Sequence, residues 1–323
     1  MAARVSVTLV TFDSAEDLPR CLDALAAQTQ APAEVIVVDN ASSDGSAGVA
    51  ERHAVVTRVE RNTDNRGFAA GQNQALGHAG GDWVLVLNPD VTLGPGFLEA
   101  LGEHFEAPPA LGTLCGKLLR AEPDGSPRTP PTLDSAGVVF ERSFRHLDRG
   151  SEARDDGQFD RLEPVFGATG AAACYRRDMI EDVSIEGEFF DEAFFAYRED
   201  ADLAWRAQLL GWDCLYVPKA VGYHVRRVLP ANRRGVAAVL NRHSVKNRFL
   251  MRIKNADSAV ILRCGARGVA RDLLVLGGCL TTEWSSLPAF MDVARLWPRA
   301  RRQRKVIQAR RRRDPSVVAG WFT

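Results

Sequence analysis

The sequence predicts an α/β fold with a mainly parallel central sheet, flanking helices and a helical C-terminal extension. Short apolar runs alternate with amphipathic segments over the first ninety residues, and polar side chains follow several of these runs. Alternation of this kind is typical of parallel sheets covered by helices. A chain of 323 residues with 46% hydrophobic and 25% charged content is long enough for one large domain or a domain with an appendage.

The first half of the chain contains a repeated strand and helix pattern. Residues 5–10 are rich in β-branched side chains, Leu18 to Leu25 contain leucines at helical spacing, and residues 34–39 form a second apolar run. The pattern continues with a helix at 46–52, a strand at 54–60, a helix at 69–78 and a strand at 82–87.

The following region has a different composition. Residues 120–164 are polar and rich in Pro, Gly, Asp and Arg, with one short apolar run at 137–140, which predicts a long functional or mobile loop. Small residues at 166–175 favour either close approach of the backbone to a ligand or a tightly packed strand. A helix should begin at Glu199 and end at Gly211, a residue type that suits a helix C-cap, before a strand at 212–217.

The predicted domain boundary lies near residue 230, so residues 1–230 form the main domain and residues 231–323 the extension. The extension holds 20 Lys or Arg and 5 Asp or Glu, a net charge of +15. The main domain holds 21 Lys or Arg and 36 Asp or Glu, a net charge of -15. Pro288 and Pro298 are predicted to be first residues of helices. Nine of the fifteen residues at 299–313 are basic, and together with the aromatic residues they suit an anionic membrane surface, the alternatives being a solvated tail or a protein docking segment. These aromatic residues are Trp284, Phe290, Trp297, Trp321 and Phe322.

Several classes of protein are disfavoured. An acidic main domain does not suit nucleic acid, and the six cysteines form no Cys-x-x-Cys pair that would suggest a zinc site. The sequence contains neither a dinucleotide-binding glycine motif nor a P-loop. The N-terminus lacks the apolar run of a secretory signal, and the longest uncharged run near residue 280 is ten residues, against the ~20 of a membrane span. We therefore expect a cytoplasmic protein, peripheral at the inner face of the membrane.

Polar clusters follow three predicted strands, at residues 39–40, 62–67 and 88–90. Ligands of open α/β sheets bind beyond the carboxyl ends of the strands, so we expect these clusters to line one crevice.

Residues 190–206 place five carboxylates among aromatic side chains. Carboxylates beside apolar surface have raised pKa values, which suits proton transfer. The alternative is a helix start, where acidic residues favour the macrodipole and Asp202 pairs with Arg206 four residues later.

Four signatures, in order, resemble a family 2 glycosyltransferase of the GT-A fold. They are Val-Thr-Phe-Asp-Ser at 10–14, Val-Val-Asp-Asn-Ala-Ser-Ser-Asp-Gly-Ser at 37–46, Asn-Pro-Asp at 88–90 and Glu-Asp-Ala-Asp at 199–202. Residues 65–73, which begin Asn-Arg-Gly-Phe, and the Asn-Arg-Phe-Leu at 247–250 add to the resemblance. It covers about residues 4–226 and is closest to bacterial rhamnosyltransferases of cell-envelope polysaccharide assembly.

The resemblance implies a nucleotide-sugar site at the strand ends. Asp90 stands where the family has the second Asp of its Asp-x-Asp motif, and it would bind Mg²⁺ or Mn²⁺ between the two phosphates of the donor, with His224 as a further ligand or an ordinary histidine. Asn88 replaces the first Asp of that motif. Asp44 could equally be a structural turn residue and Arg66 a solvated loop residue. The implied donor-binding residues are Thr11, Asp39, Asp44, Arg66, Asn88 and Asp90.

The resemblance also implies the chemistry. Asp200 would be the general base for an acceptor hydroxyl, and direct displacement would invert the anomeric configuration. We expect L-rhamnose from dTDP-rhamnose as the donor sugar, with a UDP-hexose as the alternative, and a glycan or glycolipid as the acceptor. A catalytically weak sugar-nucleotide-binding module at the membrane is the alternative function. The implied acceptor-side residues, which bind acceptor or fix the helix, are Glu199, Asp202, Arg206, Gly167 and Tyr197.

Overall fold

The computed structural model describes residues 3–227 and 238–323, so the predicted boundary near residue 230 lies outside the described residues. Within them, ten strands form one sheet and two more form a separate hairpin. The strands are β1 Val5–Thr11, β2 Glu34–Asp39, β3 Arg58–Arg61, β4 Trp83–Leu87, β5 Val91–Leu93, β6 Leu111–Arg120, β7 Leu133–Ser135, β8 Val138–Phe140, β9 His146–Asp148, β10 Glu163–Val165, β11 Ala172–Arg176 and β12 Asp213–His224.

The sheet has the order β10-β12-β6-β11-β4-β1-β2-β3, with β5 added to β12 and β7 added to β6. Strands β4, β1, β2 and β3 are parallel neighbours, and β6 and β12 run in the same direction as these four. Strand β11 is antiparallel to both of its neighbours and joins the two parallel groups. The prediction of an α/β fold with a mainly parallel sheet is confirmed.

Helices cover both faces of the sheet. Successive residues of β2 enter different clusters, because Val35 and Val37 pack with α1 on one face and Ile36 and Val38 pack with α3 on the other. A strand that is buried on both faces reads as a continuous apolar run. The helices are α1 Leu18–Ala26, α2 Ser46–Arg52, α3 Gly67–Leu76, α4 Phe97–Gly102, α5 Arg177–Val183, α6 Glu199–Leu209, α7 Ala238–Asn255, α8 Ser258–Thr281, α9 Pro288–Ala309 and α10 Pro315–Gly320.

Residues 120–164 are more regular than the predicted loop. They contain the three-residue strands β7, β8 and β9 and most of β10, and Leu133, Val138 and Phe140 are buried. Strands of three residues are too short to show a period of two, so the sequence pattern did not reveal them.

The C-terminal helices share a hydrophobic core with the main domain. Phe166 and Trp205 of the main domain pack with Leu250, Ile307 and Phe322 of the extension. The prediction that Pro298 begins a helix is wrong, since Pro298 lies inside α9. The buried residues on both sides of this proline continue one helical face, which offsets the backbone hydrogen bond that proline cannot donate. None of the described helices is long and apolar enough to cross a membrane.

The basic run at 299–313 binds the acidic main domain. Arg299 contacts Glu188, at 2.5 Å, and Asp191, at 3.1 Å. Arg310 and Arg312 both contact Asp182. The opposite net charges of the two parts of the chain therefore meet in part within the molecule.

Candidate active site

Two of the three predicted polar clusters, those at residues 39–40 and 62–67, meet the end of β1 at one edge of the sheet. Thr11 is opposite Asp39 in the register of β1 and β2, and the backbone N–H of Asn40 donates to the carbonyl of Thr11 at 2.9 Å. The side-chain amide of Asn40 donates to the carbonyl of Gly67 at 3.0 Å, and Asn62 donates to Asn40 Oδ1 at 2.8 Å. These bonds hold the loops after the three strands together.

Two of the predicted donor-binding side chains have unused hydrogen-bonding capacity. Thr11 Oγ1 and Asp39 Oδ1 are buried and have no hydrogen-bond partner among the described residues. Asp39 Oδ2, in contrast, accepts from the backbone N–H of Ser42 at 3.1 Å. A buried acceptor without a donor costs free energy, and a hydrogen-bond donor on a bound ligand would remove that cost.

Asp44 has structural partners. It accepts from the backbone N–H groups of Ala15, at 2.8 Å, and Ser46, at 3.0 Å. Burial opposes ionisation, but the hydrogen bonds from Ser46 and Ala15 together lower the pKa of Asp44. Asp44 thus joins the start of α2 to the loop after β1, which favours the turn role that the sequence left open.

Arg66 is exposed beside a constrained turn. The next residue, Gly67, has a φ of +82°, and a Cβ there would lie 2.5 Å from the carbonyl oxygen of Phe195. Only glycine fits both constraints. The loop that carries Arg66 is therefore in direct contact with the segment that precedes α6.

Asp90 and His224 are brought together by the pairing of β5 with β12. His224 Nε2 lies 3.3 Å from Asp90 Oδ1, and His224 Nδ1 lies 2.6 Å from Asp134 Oδ2. Burial alone would lower the pKa of His224, but Asp90 and Asp134 together raise it to about 10. Asp134 also contacts Arg120 and Arg226, each at 2.9 Å. The sequence pattern did not indicate Asp134, which lies in the region that was predicted to be a loop.

Asp90 and His224 fit a divalent ion that also binds phosphate. Among the described residues no group of three or more His, Cys, Asp or Glu side chains could hold a metal ion. Mg²⁺ commonly needs only one or two carboxylates because substrate phosphates and water complete its shell, and a histidine with a carboxylate behind it suits Mn²⁺. The ion would displace the proton of His224. Asn88 contributes to the turn through its N–H, which donates to the carbonyl of Ala171 at 2.9 Å.

Asp200 lies in the first turn of α6 and is partly exposed. Its Oδ2 accepts from the backbone N–H of Gly170 at 2.9 Å, and Oδ1 accepts from the N–H of Ala201 at 2.7 Å. Burial raises the pKa of Asp200, and the charge of Asp148 adds to the rise. Because Gly170 binds Asp200 and the next residue, Ala171, binds Asn88, one short segment connects the predicted base with the predicted metal turn.

Gly167 has a packing role. A Cβ at this position would lie 2.2 Å from the Cβ of Ala204 on α6, so the glycine allows the segment after β10 to approach α6 closely. The glycine that contacts the predicted base is Gly170, which the sequence analysis did not single out. Of the two interpretations of the small residues at 166–175, tight packing describes Gly167, and approach of the backbone to a ligand stays a prediction.

The other acidic and basic residues of α6 are buried. Asp202 accepts from the ammonium of Lys254, at 2.7 Å, and from Asn255, at 2.7 Å. Arg206 donates to the carbonyls of Val183 and Phe189. These partners favour the interpretation that Asp202 and Arg206 fix the helix.

Glu199 precedes Asp200 and is also buried, and its Oε2 has no partner among the described residues. Burial raises the pKa of Glu199 well above its usual range, and the charge of Asp200 adds to this effect. Of these two neighbouring carboxyl groups, Glu199 is the one that holds a proton more strongly.

The segment before α6 has an unusual backbone that the extension holds in place. Phe195, Tyr197 and Arg198 have φ values of 66°, 70° and 72°, in the left-handed region. The side-chain amide of Asn247, on α7, donates to the carbonyls of Phe194, Ala196 and Tyr197 at 2.9, 3.0 and 2.7 Å. The predicted acceptor residue Tyr197 therefore lies in a loop whose shape depends on the C-terminal extension.

Comparison with known proteins identifies the family. The model of glycosyl transferase family 2 matches residues 6–184. The chain belongs to glycosyl transferase family 2. It is 31% identical over 235 residues to the N-acetylglucosaminyl-diphospho-decaprenol L-rhamnosyltransferase of Mycobacterium tuberculosis, an alignment that covers 68% of this chain and 75% of the relative. It is 27% identical to the succinoglycan biosynthesis protein ExoO of Rhizobium meliloti, over 69% of this chain and 61% of that protein.

Solved structures support the GT-A fold. The mannosyltransferase PcManGT of Pyrobaculum calidifontis, in complex with GDP-Man and Mn²⁺, has a TM-score of 0.55 at 18% identity and covers 99% of this chain and 86% of its own. TarS of S. aureus (residues 1–349) in complex with UDP has a TM-score of 0.54 at 19% identity, and the match covers 98% of this chain and 89% of the TarS chain. This family 2 member is a glycosyltransferase, and the predicted family and fold are confirmed.

Proposed function

We propose that this glycosyltransferase moves L-rhamnose from dTDP-rhamnose to a hydroxyl of a lipid-linked cell-envelope glycan, with inversion. The proposal rests mainly on one observation. Gly170 contacts Asp200 and Ala171 contacts Asn88, so one short segment joins the proposed general base to the turn that would face the donor diphosphate.

The donor would bind where the structure leaves polar atoms unused. Asp39 Oδ1 and Thr11 Oγ1 would meet the nucleoside part, and Arg66, at the exposed edge, would approach the base or the diphosphate. Asp90 and His224 would hold Mg²⁺ or Mn²⁺, which supplies positive charge to the departing nucleoside diphosphate. Asn88 keeps the turn in place through its backbone.

Asp200 would accept the proton of the acceptor hydroxyl as the hydroxyl oxygen attacks the anomeric carbon. Attack from the side opposite the diphosphate inverts the configuration at that carbon. A base is most effective when its pKa lies near the working pH, and burial moves Asp200 in that direction. Glu199 holds its proton more strongly and would stay neutral, so Asp200 would carry the single negative charge of these two neighbouring carboxyl groups.

The choice of donor and acceptor rests on similarity. The Mycobacterium tuberculosis relative is named for transfer of L-rhamnose to N-acetylglucosaminyl-diphospho-decaprenol, and the alignment spans two thirds of this chain. A lipid-linked acceptor implies work at the membrane surface, so we place the protein at the inner face of the membrane, peripherally bound. A UDP-hexose is the alternative donor.

The proposal is tested by incubating the protein with Mg²⁺ or Mn²⁺, a panel of nucleotide sugars and an N-acetylglucosaminyl-diphospho-lipid. Asp200→Asn should keep donor affinity and lose transfer by at least about a hundredfold, within the range expected of a general base. Asp178→Asn, at an exposed carboxylate on α5, is the matched control and should transfer at the normal rate. Equal transfer by the Asp200 and Asp178 variants would refute the role of Asp200.

A second candidate is a sugar-nucleotide-binding module that recruits a glycan-assembly complex to the membrane without efficient catalysis. The replacement of the first motif Asp by Asn88 favours it, because one carboxylate is lost from the turn that faces the metal. This candidate predicts donor binding without transfer by the wild-type protein, for every donor of the panel.

A further inference from the structure

Helix α8 has two apolar faces, and only one of them packs on the protein. Val260, Cys264, Gly268 and Cys279 are its buried residues. At 100° per residue the opposite side of the helix is also apolar. Leu262 is 89% exposed and Leu273 is 64% exposed. This outward face consists of Leu262, Ala266, Val269, Leu273, Leu276 and Leu280.

The outward face differs from the surface of an ordinary helix in a soluble domain. Such helices present charged or polar side chains on the side away from the core, and large contiguous apolar patches usually mark an interaction site. The large residues of the outward face, from Leu262 to Leu280, follow one another at intervals of seven, four, three and four positions. They therefore form a continuous stripe over about 27 Å of helix. The stripe contains no charged residue.

The segment that contains this stripe and the next helix is rich in basic residues. Residues 258–305 contain nine Lys or Arg and three Asp or Glu. Two of the three carboxylates are already paired, because Asp272 contacts Arg252 and Asp292 contacts Arg242. Arg267 is exposed on the flank of the stripe. The charge pattern is thus complementary to an anionic surface.

Further apolar and aromatic surface lies at the end of α8 and on α9. Trp284, just after α8, is 67% exposed, and Trp297 on α9 is 44% exposed. A groove of about 370 Å³ between the two helices is lined by Ile261, Val269 and Trp297, with Arg301 at its side. Tryptophan is favoured at the boundary between lipid headgroups and acyl chains.

We propose that α8 is the membrane-binding element of this protein and lies in the plane of an anionic bilayer, with its outward face among the lipid headgroups and upper acyl chains. An amphipathic helix with basic flanks and leucine and tryptophan on its apolar side binds membranes in this way. The inference rests on the proposed function, in which the acceptor is lipid-linked. It differs from anchoring by the basic run at 299–313, because Arg299, Arg310 and Arg312 of that run contact the main domain.

The test uses flotation of the full-length protein with vesicles of phosphatidylcholine, alone or mixed with phosphatidylglycerol. The wild-type protein should bind the mixed vesicles, and Leu262→Gln combined with Leu273→Gln should weaken binding at least about tenfold, since both leucines would leave the acyl region. Arg267→Gln should lower the preference for phosphatidylglycerol by about fivefold. The control is Leu162→Gln, the same change at an exposed leucine of the main domain, which should bind normally.

Two results would overturn the proposal. The first is undiminished vesicle binding by the double leucine variant. The second is absence of binding of the wild-type protein to the mixed vesicles. A dimer, measured by light scattering, that the double variant dissociates would then identify a second copy as the cover of the stripe. Flotation requires neither donor nor acceptor, so failure of the transferase proposal would appear in the transfer assay and leave the flotation result unchanged.

Discussion

Replacing Asn247 by Ala tests whether the C-terminal extension shapes the site of the predicted base. The side chain of Asn247 is fully buried, and its two N–H groups serve three backbone carbonyls at 2.7 to 3.0 Å. These carbonyls belong to residues 194–197, directly before the helix that carries Asp200. The substitution removes every donor that Asn247 offers to this loop.

The magnitude follows from the number of bonds. Each buried hydrogen bond contributes about 1 kcal/mol, so the loss of three should lower the free energy of unfolding by about 3 kcal/mol. With an unfolding entropy of roughly 2 cal/mol/K per residue over 323 residues, this corresponds to a decrease in Tm of about 5 °C. The left-handed backbone conformation of the loop costs about 1–2 kcal/mol at each such residue. Without the bonds from Asn247, these residues should move to more favourable backbone angles. Asp200 would then be misplaced, and kcat should fall about a hundredfold.

Three measurements check this prediction, namely thermal unfolding, donor affinity by calorimetry and kcat for transfer. Donor affinity should fall much less than kcat, because the hydrogen bonds that Asn247 donates among the described residues go to residues 194–197 and leave the ends of β1 and β2 in place. Leu250→Ala is the matched control, because Leu250 is buried on the same helix and its truncation should destabilise the protein by about 3 kcal/mol without removing bonds to the loop. If the two variants show the same kcat, the reasoning about loop geometry is wrong.

The transfer rate should rise with pH through a value above the ordinary aspartate pKa of about 3.9, because burial raises the pKa of Asp200 and the base must be ionised. A kcat profile that stays flat down to that pH would contradict the assignment. Lys254→Met should lower the free energy of unfolding by about 3–5 kcal/mol at neutral pH, because it leaves the buried carboxylates of Asp191 and Asp202 without their ammonium partner. Burial alone would raise the pKa of Asp191, but the charge of Lys254 lowers it. The contribution of this ion pair to the free energy of unfolding is therefore present above the pKa of the unfolded state and is lost as the pH falls through the pKa of the folded state. Urea unfolding of both proteins at several pH values should therefore give curves that converge in acid, and a pH-independent difference would rule out this ion pair as the cause.

The sequence predicted the parts of the site that depend on regular strands. Asp39 follows the apolar run at 35–38 and Asn62 follows the next predicted strand. The carboxyl ends of neighbouring parallel strands lie at the same edge of a sheet, so the convergence of Asp39 and Asn62 followed from the pattern. Asp134 and Asn247 could not be found in this way. Asp134 belongs to a strand of only three residues, and Asn247 acts on a loop about fifty positions earlier in the chain. Contacts of this kind depend on tertiary packing, which a local period does not encode.

The burial of α7 against the loop at 194–198 has a consequence for synthesis of the protein. A growing chain that has just passed residue 227 already contains every side chain of the proposed donor crevice, from Thr11 to His224. It lacks the amide of Asn247 and the ammonium of Lys254, which bind the two sides of the segment leading into α6. A nucleotide sugar could therefore bind to the unfinished chain before a base is positioned to use it. We therefore expect the onset of transfer to wait until the extension has left the ribosome and packed against the loop.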